Sequence, residues 1–125
     1  MKNYSKIIKI PTFEDERGLL TVMEDILPFQ VKRIYWIYGA DKKSRGGHRH
    51  KLTKQALIAL SGTVDLKINN GKKESIYILD DPSKCIIINP EDWHTMFFKN
   101  NAVLLVFACH KYDKKDYLSQ PLNTK

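Results

Sequence analysis

The chain has 125 residues, 42% of them hydrophobic and 28% charged, which is the composition of one ordinary globular domain. The formal net charge of +7 would suit a polyanion, but the lysines are scattered and no ladder of aromatic and basic residues appears. We therefore expect no nucleic-acid partner. The N-terminal segment lacks the long apolar run of a signal peptide or a bilayer span, so we predict a single domain over residues 1–125, with no membrane partner.

Short β-forming runs follow one another along the chain, separated by turn signals. In chain order, the predicted strands are 6–10, 19–23, 30–38, 55–60, 63–69, 72–79, 85–89, 94–98 and 102–108. The pair Asn70-Gly71 predicts a hairpin, because both residues tolerate positive φ. One short helix is expected after His110, and the tail beyond Lys111 is expected to pack poorly. This pattern predicts an all-β sandwich or closed barrel.

Several predicted strands are apolar on both faces, as in ALIAL, CIII and AVLLVFA. One face would fill the barrel, and the other needs cover from a second sheet or a second subunit. This favours a dimer. Cys85 and Cys109 lie in apolar contexts and are expected to be buried free thiols, which favours the reducing cytoplasm.

The stretch RGGHRHKLTKQ, residues 45–55, places two histidines one residue apart. His48 and His50 are followed by Gln55 and then by Gly62, at a spacing close to the first cupin motif, HxH-x(3,4)-E-x(6)-G. The segment PEDWH, ending at His94, resembles the second cupin motif. The order of both elements in a strand-rich chain implies a cupin jelly-roll barrel.

In a metal-binding cupin, these positions would be the ligands, here His48, His50, Gln55 and His94. Strand alternation would put the two neighbouring histidines on one face. However, the amide of Gln55 is a weaker ligand than a carboxylate, and Arg45, Arg49 and Lys51 place positive charge nearby. We therefore predict no metal and no other cofactor.

Acid–base catalysis suits the same residues better. Histidine titrates near neutrality, so two imidazoles on one wall can remove a proton and return it. The nearby arginines could then bind phosphate oxygens. The alternative for each histidine is a purely structural place in the core.

A closer resemblance rests on four segments: DERGxL at 15–20, KRIYWIY at 32–38, RGGHRHKxxxQ at 45–55 and PEDWH at 90–94. Together with YDxxDY at 112–117, they resemble the dTDP-4-keto-6-deoxyglucose 3,4-ketoisomerases over nearly the whole chain. The resemblance implies that the sugar carbonyl moves from C4 to C3 through an enediol. It also implies a homodimer with exchanged N-terminal strands and a place in making a 3-amino-3,6-dideoxysugar for a surface glycan. Arg49 departs from the family, which commonly has a small residue there.

The resemblance assigns roles to residues of this chain. His48 and His50 are the predicted catalytic pair, with the one that serves C3 left open. Arg45 is expected to bind the diphosphate or a sugar hydroxyl, and Arg33 and Arg17 are further anion candidates, with surface salt bridges as the alternative. The other predicted substrate-binding residues are Tyr35, Lys51, Gln55, Trp93 and His94.

Two alternatives remain open from the sequence. A dTDP-sugar 3,5-epimerase shares the barrel and the Arg-x-x-His pattern, but it would require a histidine–carboxylate pair. A metal-dependent or sugar-sensing cupin would bind without isomerising. The C4 stereochemistry is also open, and Arg17 favours the 6-deoxy-galacto product over the gluco product.

Overall fold

The computed structural model describes residues 6–122. The single domain predicted over 1–125 also includes residues 1–5 and 123–125, which lie outside the described residues. Residues 1–5 belong to the N-terminal segment in which the sequence showed no long apolar run, so that prediction lies partly outside the described residues. The strands are β1 (Ile7–Lys9), β2 (Thr12–Asp15), β3 (Gly18–Thr21), β4 (Arg33–Ile37), β5 (Ser44–His50), β6 (Gln55–Asn69), β7 (Glu74–Leu79), β8 (Lys84–Ile88), β9 (Trp93–Ala108) and β10 (Tyr117–Leu118).

Two long strands organise the main antiparallel sheet. Its order is β1-β8-β6-β9-β5-β10, with β4 also paired to β9 and β7 to β6. β6 pairs with β9 from Gln55–Ala108 to Asn69–Trp93, with register shifts between residues 59 and 63. The sequence predicted two strands in each of these segments, but each is one strand interrupted by irregular pairing. The all-β jelly-roll barrel is confirmed.

Gly62 allows the close approach of the two long strands at their irregular point. Its φ is +69°, and a Cβ there would lie 2.5 Å from Cα of Ala102. Since L side chains rarely adopt this φ and no carbon fits in that space, glycine is required at this position. The turn signal at residues 61–62 in the sequence therefore reflects a bulge within one strand.

The core has two parts on opposite faces of the sheet. The larger cluster fills the barrel and includes Leu57, Leu66, Ile86, Phe98 and Leu104. A second cluster on the other face includes Ala56, Ile58, Cys85 and Ile87, and is covered by the chain's own segment 23–29 together with Ile8 and Phe107. On this face, the cover expected from a second sheet or subunit comes from an irregular segment of the same chain.

Five local predictions are corrected or refined. The helix expected after His110 is only a 3-10 turn, Lys114–Asp116, and the tail expected to pack poorly forms β10, paired with β5. The stretch around His48 and His50, which the sequence left out of the predicted strands, is strand β5. The hairpin at Asn70-Gly71 is confirmed. Of these two turn residues, only Gly71 has a positive φ. The backbone N–H of Asn70 donates to the carbonyl oxygen of Lys73. Both cysteines are free, but only Cys85 is fully buried.

Two further features concern a possible membrane span and the exposed apolar surface. Within residues 6–122, no helix is long and apolar enough to cross a membrane. The hairpin β2-β3 forms a separate two-stranded sheet and leaves Phe13, Leu19 and Leu20 more than 60% exposed. Trp36 and Tyr38 are also exposed, on and just after β4. These exposed apolar side chains are the kind of surface that often marks an interaction site.

Candidate active site

Two glycines shape the strand that carries the histidine pair. Gly46 and Gly47 both have left-handed φ values, +89° and +75°, and the pairing of β5 with β9 shifts register between Gly46 and His48. A Cβ at Gly46 would lie 2.8 Å from the carbonyl oxygen of His94, so only glycine allows this approach. The bulge places His48 directly opposite His94 across the two strands.

Three histidines therefore meet inside the barrel, and we call His48, His50 and His94 the histidine cluster. The ring centroid of His48 lies 5.2 Å from that of His50 and 4.9 Å from that of His94, and His50 and His94 are 6.0 Å apart. The ring of Tyr117 packs 4.9 Å from His48 and 4.4 Å from His50. His50 and His94 are almost fully buried, whereas His48 is partly accessible.

His50 is paired with a carboxylate from the C-terminal turn. Its Nδ1 lies 2.8 Å from Oδ2 of Asp116, which also accepts the hydroxyl of Thr53, while Oδ1 accepts the backbone N–H of Leu52 at 2.7 Å. On the other side of the ring, Nε2 is buried and has no hydrogen-bond partner among the described residues. The ring is therefore held from one side and open for a contact on the other.

The pKa values of all three residues in the histidine cluster are lowered, so the rings are neutral at neutral pH. Burial lowers the pKa of His94 to about 3, and its Nδ1 lies 3.1 Å from the carbonyl oxygen of Asp92, to which it donates. Burial, with a smaller contribution from His50, lowers the pKa of His48 to about 4. Burial also lowers the pKa of His50, partly offset by Asp116. Neutral imidazoles retain a lone pair that can accept a proton.

A cavity of about 340 Å³ opens beside the cluster. It is lined by Arg33, Tyr35, Ile37, Arg45, Gly46, His48, His94, Met96, Tyr112 and Tyr117. The guanidinium of Arg33 lies 5.1 Å from the ring centre of Tyr35 and donates to the hydroxyl of Tyr117 at 3.3 Å. Within the described part of the chain neither Arg33 nor Arg45 forms an ion pair, so both can bind an anionic ligand.

The predicted residues fall into three groups. Arg33, Tyr35, Arg45, His48 and His94 line the cavity. His50 and Gln55 lie one layer behind it, where Nε2 of Gln55 donates to the hydroxyl of Tyr35 at 2.8 Å. Lys51, Trp93 and Arg17 do not line it.

The residues outside the cavity have contacts of their own. Nε1 of Trp93 donates to the carbonyl oxygen of Ser119 at 3.2 Å. Arg17 pairs with Asp15 in the exposed hairpin β2-β3. Arg49, whose role was open, pairs with Glu91 and donates from Nε to Gln120 O at 2.7 Å. Trp93 and Arg49 thus help to hold the C-terminal segment against the barrel.

Three tyrosine and aspartate residues of the site were not predicted from the sequence. Tyr112 and Tyr117 line the cavity, and Asp116 holds His50. The signal that could have identified them is the YDxxDY pattern at 112–117, which follows directly after the last long strand.

The histidine cluster could also hold a metal ion. One nitrogen from each of the three rings lies within 4.8 Å of the others, and three imidazoles are a donor set that transition metals accept. Gln55, the fourth position that a metal-binding cupin would use, instead directs its amide nitrogen to Tyr35. The structure thus brings together three of the four cupin positions, although the sequence predicted no metal.

Comparison with known proteins places these features in a family. The family model "FdtA: WxcM-like, C-terminal" matches residues 3–123. A TDP-4-oxo-6-deoxy-alpha-D-glucose-3,4-oxoisomerase from Aneurinibacillus thermoaerophilus is 33% identical, over 97% of this chain and 90% of that protein. The chain belongs to the FdtA family of sugar 3,4-ketoisomerases. The resemblance seen in the sequence motifs is confirmed.

Solved structures agree with this FdtA-family assignment. The sugar 3,4-ketoisomerase QdtA from Thermoanaerobacterium thermosaccharolyticum, in complex with TDP, is 41% identical, with a TM-score of 0.87 over 91% of this chain and 86% of that one. The TDP-quinovose 3,4-ketoisomerase WlaRB from Campylobacter jejuni is 35% identical, with a TM-score of 0.87 over 92% of each chain. The RmlC epimerase of Mycobacterium tuberculosis, at 16% identity and a TM-score of 0.78 over 89% of this chain and 66% of that one, shares the fold.

Proposed function

We propose that this FdtA-family enzyme converts dTDP-4-keto-6-deoxyglucose to its 3-keto isomer, with His48 and His50 as the acid–base pair. The observation that carries the proposal is a cluster of neutral histidines beside a cavity that also presents two arginines without ion-pair partners in residues 6–122. Relatives of the same family are named as enzymes of TDP-linked sugars, and a QdtA variant is solved with TDP-4-keto-6-deoxyglucose, which supports the same substrate class here.

In this reaction, four atoms of the sugar each gain or lose one proton. The hydrogen on C3 leaves as a proton, the C4 carbonyl oxygen gains one, the C3 hydroxyl loses one, and C4 gains one. An imidazole that stays neutral can accept the C3 proton, and the resulting imidazolium can donate to C4. Since the transfers balance within the sugar, no redox cofactor enters the scheme.

The cavity walls supply hydrogen bonds that suit the oxygens of this sugar. The hydroxyl oxygen of Tyr35 already accepts from Gln55, so its proton can be donated to a sugar oxygen that becomes negatively charged in the enediolate. His94 donates Nδ1–H to a backbone carbonyl, which makes its Nε2 an acceptor for a sugar hydroxyl.

Arg33 and Arg45 are the proposed anion-binding residues. Both line the cavity and have no carboxylate partner among residues 6–122, so they can pair with the oxygens of a diphosphate. Lys51 and Trp93, also predicted to bind substrate, stay proposals without support from the cavity lining. Trp93 has an alternative role in its contact with Ser119.

The homodimer with exchanged N-terminal strands is also part of the proposal. It is supported by the hairpin β2-β3, which pairs with no other strand of the described chain and exposes Phe13, Leu19 and Leu20. Arg17 lies at the turn of this hairpin and would contact a substrate only in a neighbouring subunit. Sedimentation analysis should give a dimer, and a monomer at micromolar concentration would contradict the exchange.

The product, location and pathway follow from the same proposal. We retain the 6-deoxy-galacto product because Arg17 favoured it, and both galacto and gluco enzymes occur among the relatives, as TDP-fucose and TDP-quinovose ketoisomerases. The free thiols of Cys85 and Cys109 are in keeping with the cytoplasm. The product would supply a 3-amino-3,6-dideoxysugar for a surface glycan.

One observation favours the second candidate, a 3,5-epimerase. The sequence motifs gave no carboxylate partner for the histidine pair, yet Asp116 pairs with His50. Against this stands the sequence identity, which is 14–16% to epimerases and 31–42% to ketoisomerases. We therefore propose that the histidine–carboxylate pair serves isomerisation in this chain.

The test is proton NMR of dTDP-4-keto-6-deoxyglucose incubated in heavy water with the chelator-treated protein. A 3-keto product with deuterium at C4 would support the proposal, and the coupling of the C4 proton in ordinary water would give its stereochemistry. Deuterium at C3 and C5 with the ketone still at C4 would mean an epimerase. Exchange that appears only after metal is added would mean a metal-dependent cupin.

A further inference from the structure

Arg49 joins three segments of the chain on the outer side of β5. It lies between His48 and His50, and alternation along the strand turns its side chain away from theirs. Its Nη1 pairs with the carboxylate of Glu91, and its Nε donates to the carbonyl oxygen of Gln120 at 2.7 Å. Only 14% of the Arg49 side chain is exposed. Because water reaches the guanidinium poorly, these charge-assisted contacts are stronger than those of an ion pair on the open surface.

Glu91 is a fixed anchor for this guanidinium. It belongs to the turn between β8 and β9, and its φ of +75° lies in the left-handed region that L residues rarely adopt. Its backbone N–H donates to the carbonyl oxygen of His50 at 2.8 Å, which ties the turn to β5. With Nη1 on the Glu91 carboxylate, the planar guanidinium of Arg49 presents Nε in one direction, toward Gln120.

The C-terminal segment is attached on both sides of Tyr117. On one side, the carboxylate of Asp116 accepts hydrogen bonds from β5 and from the loop that follows it. On the other side, the carbonyl oxygen of Gln120 accepts from Arg49. Between these points, β10 pairs only two residues with β5. Chain ends separate from a domain unless they are tied down, so the attachment at Gln120 limits how far the segment can open from its end.

Tyr117 is the residue through which this attachment reaches the cavity. It lines the cavity, and its ring packs 4.9 Å from that of His48 and 4.4 Å from that of His50. Its hydroxyl oxygen accepts from Arg33, a proposed anion-binding residue, at 3.3 Å. That bond leaves the proton of Tyr117 free to be donated to an oxygen of the sugar nucleotide. A displaced Tyr117 would therefore change the cavity wall and the contact with Arg33 together.

We propose that Arg49 is a positioning residue that fastens the C-terminal segment to the turn between β8 and β9, so that Tyr117 closes the wall of the substrate cavity. Arg49 does not line the cavity itself, so it acts on the substrate through Tyr117. Trp93 adds a second attachment through the carbonyl oxygen of Ser119 at 3.2 Å, a neutral hydrogen bond that is weaker than the contacts of Arg49. The effect on turnover rests on the proposed ketoisomerase function, whereas the attachment does not.

Hydrogen exchange tests the attachment without turnover. Mass spectrometry of the substrate-free protein compares the backbone amides of residues 117–120 with those of β6 and β9. In Arg49→Ala, we expect exchange at least about 10-fold faster in residues 117–120 and unchanged in β6 and β9. Arg49→Lys keeps the charge, but its single nitrogen cannot take the places of both Nη1 and Nε, so we expect faster exchange there too. A wild-type exchange rate in residues 117–120 of either variant would overturn the proposal.

Lys99→Ala is the matched control for the kinetic test. It removes one positive charge, as Arg49→Ala does, but from a surface ion pair with Asp65. A general effect of net charge on an anionic ligand would be similar in both variants. We expect kcat/KM to fall at least about 10-fold in Arg49→Ala and less than about 2-fold in Lys99→Ala. Equal losses in the two variants would overturn the positioning role.

A double-mutant cycle shows whether Arg49 acts through Tyr117. When Tyr117 is already alanine, Arg49→Ala should lower kcat/KM by less than about a further 2-fold. Losses that multiply would overturn the proposal, because Arg49 would then act by another route. Faster exchange of residues 117–120 in Arg49→Ala, in a protein whose wild type lacks ketoisomerase activity, would overturn the proposed function and leave the attachment by Arg49 standing.

Discussion

The hydroxyl oxygen of Tyr35 accepts a hydrogen bond from Nε2 of Gln55 across 2.8 Å. Burial raises the pKa of Tyr35, so the phenol keeps its proton at neutral pH and can donate it into the cavity. A glutamate in place of Gln55 would instead accept a hydrogen bond from the Tyr35 hydroxyl. The amide at this cupin position therefore keeps Tyr35 available as a hydrogen-bond donor to the sugar.

Replacing either residue should slow turnover for the same reason. In Tyr35→Phe the donor is absent, and in Gln55→Glu the carboxylate competes with the sugar for it, so we expect kcat to fall about 100-fold in each. Steady-state kinetics would measure this, with circular dichroism to check the fold of the glutamate variant. If Gln55→Glu retained wild-type kcat, the amide would have no part in directing the Tyr35 proton.

His48→Asn should abolish most turnover while TDP still binds. The variant loses an acid–base group at the cavity surface, and such groups contribute about 100- to 10,000-fold in rate. Arg33 and Arg45, the proposed contacts to the diphosphate, remain. Calorimetric titration with TDP should give an affinity close to wild type. A loss of affinity as large as the loss of rate would mean a binding or structural role for His48.

The activity should fall at an acidic pH well below the usual titration of histidine. Burial lowers the pKa of His48 to about 4, and protonation as the pH falls through that value removes its lone pair. We expect kcat/KM to be flat from pH 8 down to pH 5.5 and to fall below about pH 5. Rate measurements in overlapping buffers test this. An inflection near pH 6.5 would show that His48 titrates as in an unfolded peptide.

The stability of the fold should also depend on pH through His94. Its pKa is about 3 in the folded chain and about 6.5 when unfolded, so the unfolded state binds more protons between these values. The free energy of unfolding should therefore be fully retained above pH 6.5 and fall by up to about 1.4 kcal/mol per pH unit below it. Urea denaturation at pH 7 and pH 5 would measure the change.

His94→Gln is the control for this prediction, because glutamine keeps a hydrogen-bonding side chain but does not titrate. The variant should show a smaller loss of stability between pH 7 and pH 5 than the wild-type protein. The remaining pH dependence would come from other groups, including His48 and His50, whose pKa values are also lowered. Equal pH dependence in both proteins would contradict the burial of a neutral His94.

The sequence predicted the features that depend on local patterns. Runs of β-branched residues located most strands, and the spacing of His48, His50 and His94 predicted a shared site, which the structure places on paired strands. Arg33 and Tyr35 alternate along β4, and both line the cavity.

The errors came from contacts between residues distant in sequence. The segment that contains Gly46 was left out of the predicted strands because the sequence does not show that β9 lies close enough there to exclude a Cβ. Asp116 was missed because it lies 66 residues from His50, in a polar tail with no apolar periodicity.

The late position of the C-terminal turn has a consequence for the newly made polypeptide. A ribosome synthesises His48, His50 and His94 well before it reaches Asp116 and Tyr117, which occupy the last tenth of the chain. A premature stop codon between residues 109 and 115 would leave all three histidines and the whole of β9 in the chain but no carboxylate behind His50. Polypeptides that end there would contain the two histidines of the family motif but lack the Asp116 carboxylate that contacts His50.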